Sequence, residues 1–264
     1  MRRRAILRRA GKRVAQGAGV LLLAGGVLLA ANELVLSDDA LGPAPVRVRV
    51  LAPGTFESAH AYAPYYVVPV KRIADPSKLS RAATNRFVTS PETALASGAL
   101  AGSPQIVRVE LRATTAQRVT VGGVRFHVVS AARPLKGWFM AQPACAFERG
   151  VRLALVNLDR RPQEVRYLDA RGATTDGLGL RLDRHAPAVL ELQAATNRSR
   201  VAWTATLIVT RDGAPPQTVT VDKGGEPFRV TAVRRSHGYT ARFGATGVTG
   251  FTREPSWDRG VKGC

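Results

Sequence analysis

Acids, thiols and histidines are scarce in this chain. Lys and Arg number 39 against 19 Asp and Glu, for a formal net charge of +20. Such an imbalance attracts polyanions whatever the fold. Only Cys145 and Cys264 are present, with no C-x-x-C pair, which excludes zinc ribbons and thioredoxin-type redox motifs. His60, His127, His185 and His237 are widely separated, and no H-E-x-x-H occurs, so no local metal-ligand motif exists. G-x-S-x-G, S-x-x-K and a glycine-rich phosphate loop opening a helix are also missing. No catalytic residue, cofactor or metal is therefore expected. The triplet Asp183, Arg184 and His185 before Pro187 reads as a surface turn.

What is present begins with an uncharged run, Val14 to Ala31 (VAQGAGVLLLAGGVLLAA). As a helix it would be about 27 Å long, close to the hydrocarbon core of a bilayer at about 30 Å. Arg2, Arg3, Arg4, Arg8, Arg9, Lys12 and Arg13 precede it with no acid among them, and the positive-inside rule places that flank in the cytoplasm. The expected order is a basic cytoplasmic head (1–13), a transmembrane anchor (14–36) and an extracytoplasmic remainder. A cleaved signal peptide shares this layout and is the alternative. The run exceeds the usual apolar region of about 7 to 15 residues, however, and Leu29 spoils an A-x-A before the end of the run. Arg3 and Arg4 resemble a twin-arginine signal, but the later basic residues delay the apolar run and favour plain positive-inside charge. Ala15, Gly19, Gly26 and Ala30 fall on one helix face, a spacing that permits close helix approach.

A polar spacer (37–45) leads into period-two alternation, the mark of half-buried strands. Val46, Val48 and Val50 oppose Arg47 and Arg49; Val107, Val109 and Leu111 oppose Arg108, Glu110 and Arg112; Val124, Phe126 and Val128 oppose Arg125 and His127. Gly122 and Gly123 mark a tight hairpin or a bulge. Between 72 and 104 the alternation fails. There Ser90, Pro91 and Glu92 with Gly98 predict one short helix over 91–97. PLKGWFMAQP (134–143) reads as an apolar loop, packed under the domain or forming an exposed contact. Further strands follow around Leu153, Leu190, Val201 to Val209, Val219 to Val221 and Phe228 to Val230, with a hairpin at Asp212-Gly213. The pattern predicts an all-β fold, an Ig-like or jelly-roll-like β-sandwich over 46–233, with a division into two halves near 135–145 as the alternative. A basic flexible tail (234–264) follows, in which Tyr239 to Phe243 can add one last strand.

Cys145 before a strand ending in Asn157-Leu158-Asp159, Trp203 within a long strand, and the closing Gly225-Glu226-Pro227-Phe228-Arg229-Val230 resemble a group of actinobacterial membrane-anchored proteins, mostly hypothetical proteins of streptomycetes. The resemblance spans residues 14 to about 233. It implies an anchor and an extracellular β domain, and it brings no known activity. Members often carry a cysteine just before the tryptophan, where this chain has Arg200, Val201 and Ala202. That departure counts against a family-like disulfide from Cys145.

The residues themselves leave Cys145 and Cys264 as the candidates for one disulfide in an oxidising exterior, with free or intermolecularly paired thiols as the alternative. Candidate binding residues are Arg234, Arg235, Arg242 and Trp257, where cationic and aromatic side chains interleave as for a polyanion or a membrane interface, and Trp138 and Phe139 of the apolar loop. The expected role is a non-catalytic, single-pass binding or accessory protein of the bacterial cell envelope. Its expected partners are the membrane itself and an anionic cell-wall polymer or another envelope protein. Specific nucleic-acid binding is disfavoured because basic residues are scattered along strands rather than gathered on a recognition helix. The alternatives are an envelope hydrolase using Cys145, His127 or His185, and a structural subunit docking through Trp138 and Phe139.

Overall fold

Alternation between apolar and polar residues decides which sides of the strands meet. The computed structural model of the protein describes residues 44–51, 66–73, 75–89, 91–141, 151–233, 237–244 and 247–254. Most of them form strands in two mixed sheets, an all-β architecture with little helix. One sheet has six strands in the order β1 (Val46–Val50), β4 (Gln105–Ala113), β11 (Ala188–Ala195), β7 (Arg152–Asn157), β8 (Val165–Leu168) and β9 (Thr174–Thr175). The other has ten strands: β10 (Leu180–Leu182), β5 (Val119–Ala132), β12 (Arg200–Arg211), β14 (Phe228–Thr231), β3 (Leu100–Gly102), β2 (Tyr66–Pro69), β6 (Gly137–Ala141), β15 (His237–Gly244) and β16 (Gly247–Glu254), with β13 (Gln217–Val221) also paired to β12.

The main core lies between the six-stranded sheet and the β10, β5, β12, β13 and β14 part of the larger one. Val109, Leu111, Leu190 and Leu192 enter from one side, Val121, Phe126, Leu207 and Val230 from the other. At its centre Trp203 is fully buried, with its ring 5.5 Å from that of Phe126 and 4.8 Å from that of Phe228. Its Nε1–H donates to Gln105 Oε1 at 2.9 Å, so the one polar atom of the largest core side chain is satisfied by the opposite sheet. A second tie runs the other way. The Tyr167 hydroxyl, from β8, accepts from the Val124 N–H at 3.1 Å and donates to the Val124 carbonyl at 3.3 Å.

β5 passes straight through Gly122 and Gly123. Opposite it, Ile208 pairs with Gly123 but Val209 with Val121, leaving Gly122 as an extra residue. The glycine pair is thus a bulge, not a hairpin. A Cβ on Gly123 would sit 3.1 Å from the Tyr167 hydroxyl, so the small residue leaves room for the cross-sheet tie. A second register shift, between Ala202 and Trp203, makes Val129 the extra residue, and this valine is 60% exposed. The Asp212-Gly213 hairpin is formed as expected, with Val209 paired to Gln217. β5 and β12 pair over their whole length, from Val119 and Arg211 to Ala132 and Arg200.

Four sequence expectations need correction. The stretch 134–143 contains β6, whose alternation sends Trp138 into one buried cluster with Tyr66, Val68, Ala94 and Ala99, and Phe139 into another with Val67. Three apolar residues in a row hid the period of two. Gly137 fits this strand against β2 because a Cβ there would lie 2.0 Å from the Val68 carbonyl oxygen. Beyond residue 233 the sheet continues: β15 pairs in parallel with β6 and antiparallel with β16, so the expected strand at Tyr239 to Phe243 belongs to a hairpin and not to a wholly flexible tail. The 72–104 region holds α1 (Arg81–Thr89) as well as α2 (Pro91–Ala96), the latter at the position expected. Gly98 ends α2 in the left-handed region (φ +80°), where the Ala99 N–H reaches back to the Ala94 carbonyl at 3.1 Å.

The fourth is Arg108. Alternation placed it on a solvent face, yet its side chain is 3% exposed and its Nε lies 2.5 Å from Glu191 Oε1, itself 4% exposed. The six-stranded sheet therefore carries a buried ion pair on the side away from the main core. Replacing Glu191 with Leu takes that carboxylate from a buried guanidinium and is expected to cost about 3–5 kcal/mol, whereas Arg108→Met with Glu191→Leu recovers most of the loss. Trp203→Ala is expected to cost about 3–5 kcal/mol. Urea unfolding checks both, and a midpoint unchanged in either single variant contradicts the packing described.

Candidate binding surface

The residues singled out from sequence are dispersed. Arg234, Arg235, Trp257, Cys145 and Cys264 lie outside the described residues, as do the 14–31 run and His60. Arg242 is on β15 opposite Gly250. Trp138 and Phe139, 1% and 2% exposed, belong to the protein's own interior. Of the two readings of this stretch, packed under the domain or exposed contact, their burial fits the first. His127 is mid-strand on β5, its Nε2 2.9 Å from Thr206 Oγ1. His185 is in the turn after β10, its N–H donating to Asp183 Oδ1 at 2.6 Å. Leu182 pairs with Val119 at the far end of β5 from His127, which separates the two histidines by roughly 20 Å or more. Among the described residues no group of His, Cys, Asp and Glu is arranged to hold a metal ion, and no helix is long and apolar enough to cross a membrane.

What the fold does assemble is an open, one-signed face. With Val201, Trp203, Ala205, Leu207 and Val209 turned inward, β12 shows Thr204, Thr206, Ile208 and Thr210 on its other side. The same parity exposes Arg125 and His127 on β5, Thr218 and Thr220 on β13, Arg229 on β14 and Arg181 on β10. None of these five strands contains a carboxylate. Aromatic side chains are lacking on this face too, since Phe126, Trp203 and Phe228 all point into the core. Among the described residues, Arg125, Arg181 and Arg229 take part in no ion pair; the pairs formed lie elsewhere, as at Arg49–Glu110 and Arg118–Asp212.

Strand register sets the spacing of these cations. Arg181 is beside Thr120, Arg125 beside Thr206 and Arg229 beside Ala202. With ~3.3 Å per residue along a strand and ~4.8 Å between strands, the three arginines form a diagonal row with steps of about 15 Å. His127, beside Thr204, falls between Arg125 and Arg229. Sequence reading missed this row because the arginines come from three strands far apart in the chain. The available signal was the period-two pattern, which gives the face of each residue but not the strand beside it.

The missing carboxylates are at the turns. Asp183 Oδ1 accepts from the N–H groups of His185 and Ala186, and Asp222 Oδ1 from that of Gly225. Asp169 Oδ1 accepts from Arg171 and Ala173. Backbone donation, from His185 first and then Ala186, holds the Asp183 carboxyl below its ordinary pKa, and donation from Ala173 and then Arg171 does so for Asp169. A depressed folded-state pKa contributes stability that is present above the unfolded value and is lost as pH falls through the folded one. Asp183→Asn and Asp169→Asn are therefore expected to flatten the acid limb of the melting temperature against pH profile, below the ordinary carboxylate range. An acid limb identical to the parent's in both variants would contradict this.

The fold and this surface define an all-β protein in which five neighbouring strands of one sheet carry arginines and no carboxylate. In comparisons with protein-family models, curated proteins and solved structures, nothing matches this chain.

Proposed function

We propose that the chain is a non-catalytic, single-pass protein of the bacterial cell envelope, with its N-terminus cytoplasmic and its β domain outside, and that the domain binds an anionic cell-wall polymer. The apolar run at 14–31 behind a basic head supports the location. The facing sheets with a common core support an Ig-like or jelly-roll-like β-sandwich as the finer fold type. One observation carries the binding role: a sheet face with arginine and threonine side chains and no carboxylate on its strands, which attracts polyanions without internal neutralisation.

The test uses the full chain in detergent micelles on immobilised anionic wall polymer. Retention is expected at low salt, where the Debye length is about 30 Å, and loss at physiological ionic strength or above, where it falls to about 8 Å. A neutral dextran matrix is expected to retain nothing. Equal behaviour on the two matrices would defeat the binding role, and recovery of the intact chain in the soluble fraction of cells would defeat the location.

A further inference from the structure

The polar face of the ten-stranded sheet suits one kind of polyanion better than others. A single-stranded nucleic acid needs aromatic platforms for its bases, and β5, β10, β12, β13 and β14 present no Phe, Tyr or Trp on this side. Duplex DNA is gripped by convex or groove-entering elements, whereas β5, β12, β13 and β14 present ladder positions of one sheet. What the face does offer is guanidinium groups, which match phosphate geometry with paired donors, and hydroxyls. Thr120, Thr204, Thr206, Thr210, Thr218 and Thr220 flank the arginine row. No strand of the row carries a carboxylate; the neighbouring acids, Asp183, Asp212, Asp222 and Glu226, lie beyond the strand ends.

Building on the envelope-binding reading above, we infer that this face is the polymer contact and that its ligand is a linear polyol phosphodiester, lying along the diagonal Arg181, Arg125, His127, Arg229. Phosphodiester charges meet the guanidinium groups, and polyol hydroxyls exchange hydrogen bonds with the threonine ladder between them. The steps of about 15 Å suit an extended, flexible chain that touches one cation every few bonds and bridges the intervals with hydroxyls. A stiff carboxylate polysaccharide supplies the charge but not this freedom to follow a diagonal across four strands.

The test uses the full chain in micelles and a linear poly(glycerol phosphate), with polygalacturonate and duplex DNA as competing polyanions at equal charge concentration. R125Q/R181Q/R229Q is expected to weaken poly(glycerol phosphate) binding about tenfold or more and to flatten its salt dependence. R47Q/R112Q/R166Q removes the same charge from exposed sites on the six-stranded sheet and is expected to change affinity less than about threefold. Equal losses in the two variants would reduce the effect to net charge and overturn the assignment of the face. Stronger competition by polygalacturonate or duplex DNA than by poly(glycerol phosphate) would overturn the ligand class. Should the first variant fail to fold, arginine-directed labelling of the parent chain with phenylglyoxal, read by mass spectrometry, decides the face. Polymer is expected to protect Arg125, Arg181 and Arg229 and to leave Arg47, Arg112 and Arg166 reactive. Protection confined to Arg234, Arg235 and Arg242 would move the contact to the C-terminal region and sink the inference. Failure of the parent chain to bind any of the three polyanions would instead remove the broader binding role.

Discussion

The indole of Trp203 joins the two sheets. It fills the centre of the core between Phe126 and Phe228 and passes its one polar hydrogen to Gln105 on the facing sheet. A buried indole without that acceptor would carry the cost of an unmet donor, of the order of 1–3 kcal/mol. The tie thus fixes which segment of β4 lies over which segment of β12. Tyr167 repeats the device at another point, seating its hydroxyl on both backbone groups of Val124 beside the Gly122 bulge. Bulges sharpen the local twist of a strand. Two in β5 let this long strand bend while its inward residues stay aligned with β12.

The electrostatic character of the outer face follows from the same alternation. Once Val, Leu, Phe and Trp take the inward positions of β5, β12 and β14, the outward ones are left for residues that tolerate strand geometry in water, and the chain fills them with Thr and Arg. Aspartate is drawn elsewhere. Its short carboxylate caps backbone N–H groups at bends, as Asp75 does for Ser77, Asp159 for Asn197, Asp169 for Ala173 and Asp183 for His185. On this face the two preferences separate charge in space, with aspartates at the turns and arginines on the strands. A surface so divided presents a positive field to a long anionic ligand even though Arg125, Arg181 and Arg229 come from strands far apart in the sequence.

Much of the architecture was legible along the chain because strand alternation is a local signal. The inward sets of β4, β5 and β12, the α2 helix with its Gly98 stop and the Asp212-Gly213 hairpin were all readable in this way. Trp138-Phe139-Met140 was not, because a strand buried on both faces has no polar positions to reveal its period. Arg108 was misplaced for the complementary reason. Alternation names the side of the strand, but its burial with Glu191 depends on β11 lying next to β4, a pairing between residues 83 apart in sequence.

By itself the sequence determined the sign of the charge, the strand periods, the turn chemistry and the apolar run behind a basic head, since each depends on residues within one turn or one strand of one another. Tertiary structure alone decided that Trp138 and Phe139 are core, that β15 extends the sheet through β6, and that Arg181, Arg125 and Arg229 form one row. These depend on the register between distant strands. Register is set when two complementary inner faces close over a shared core, and no single segment of the chain contains that information.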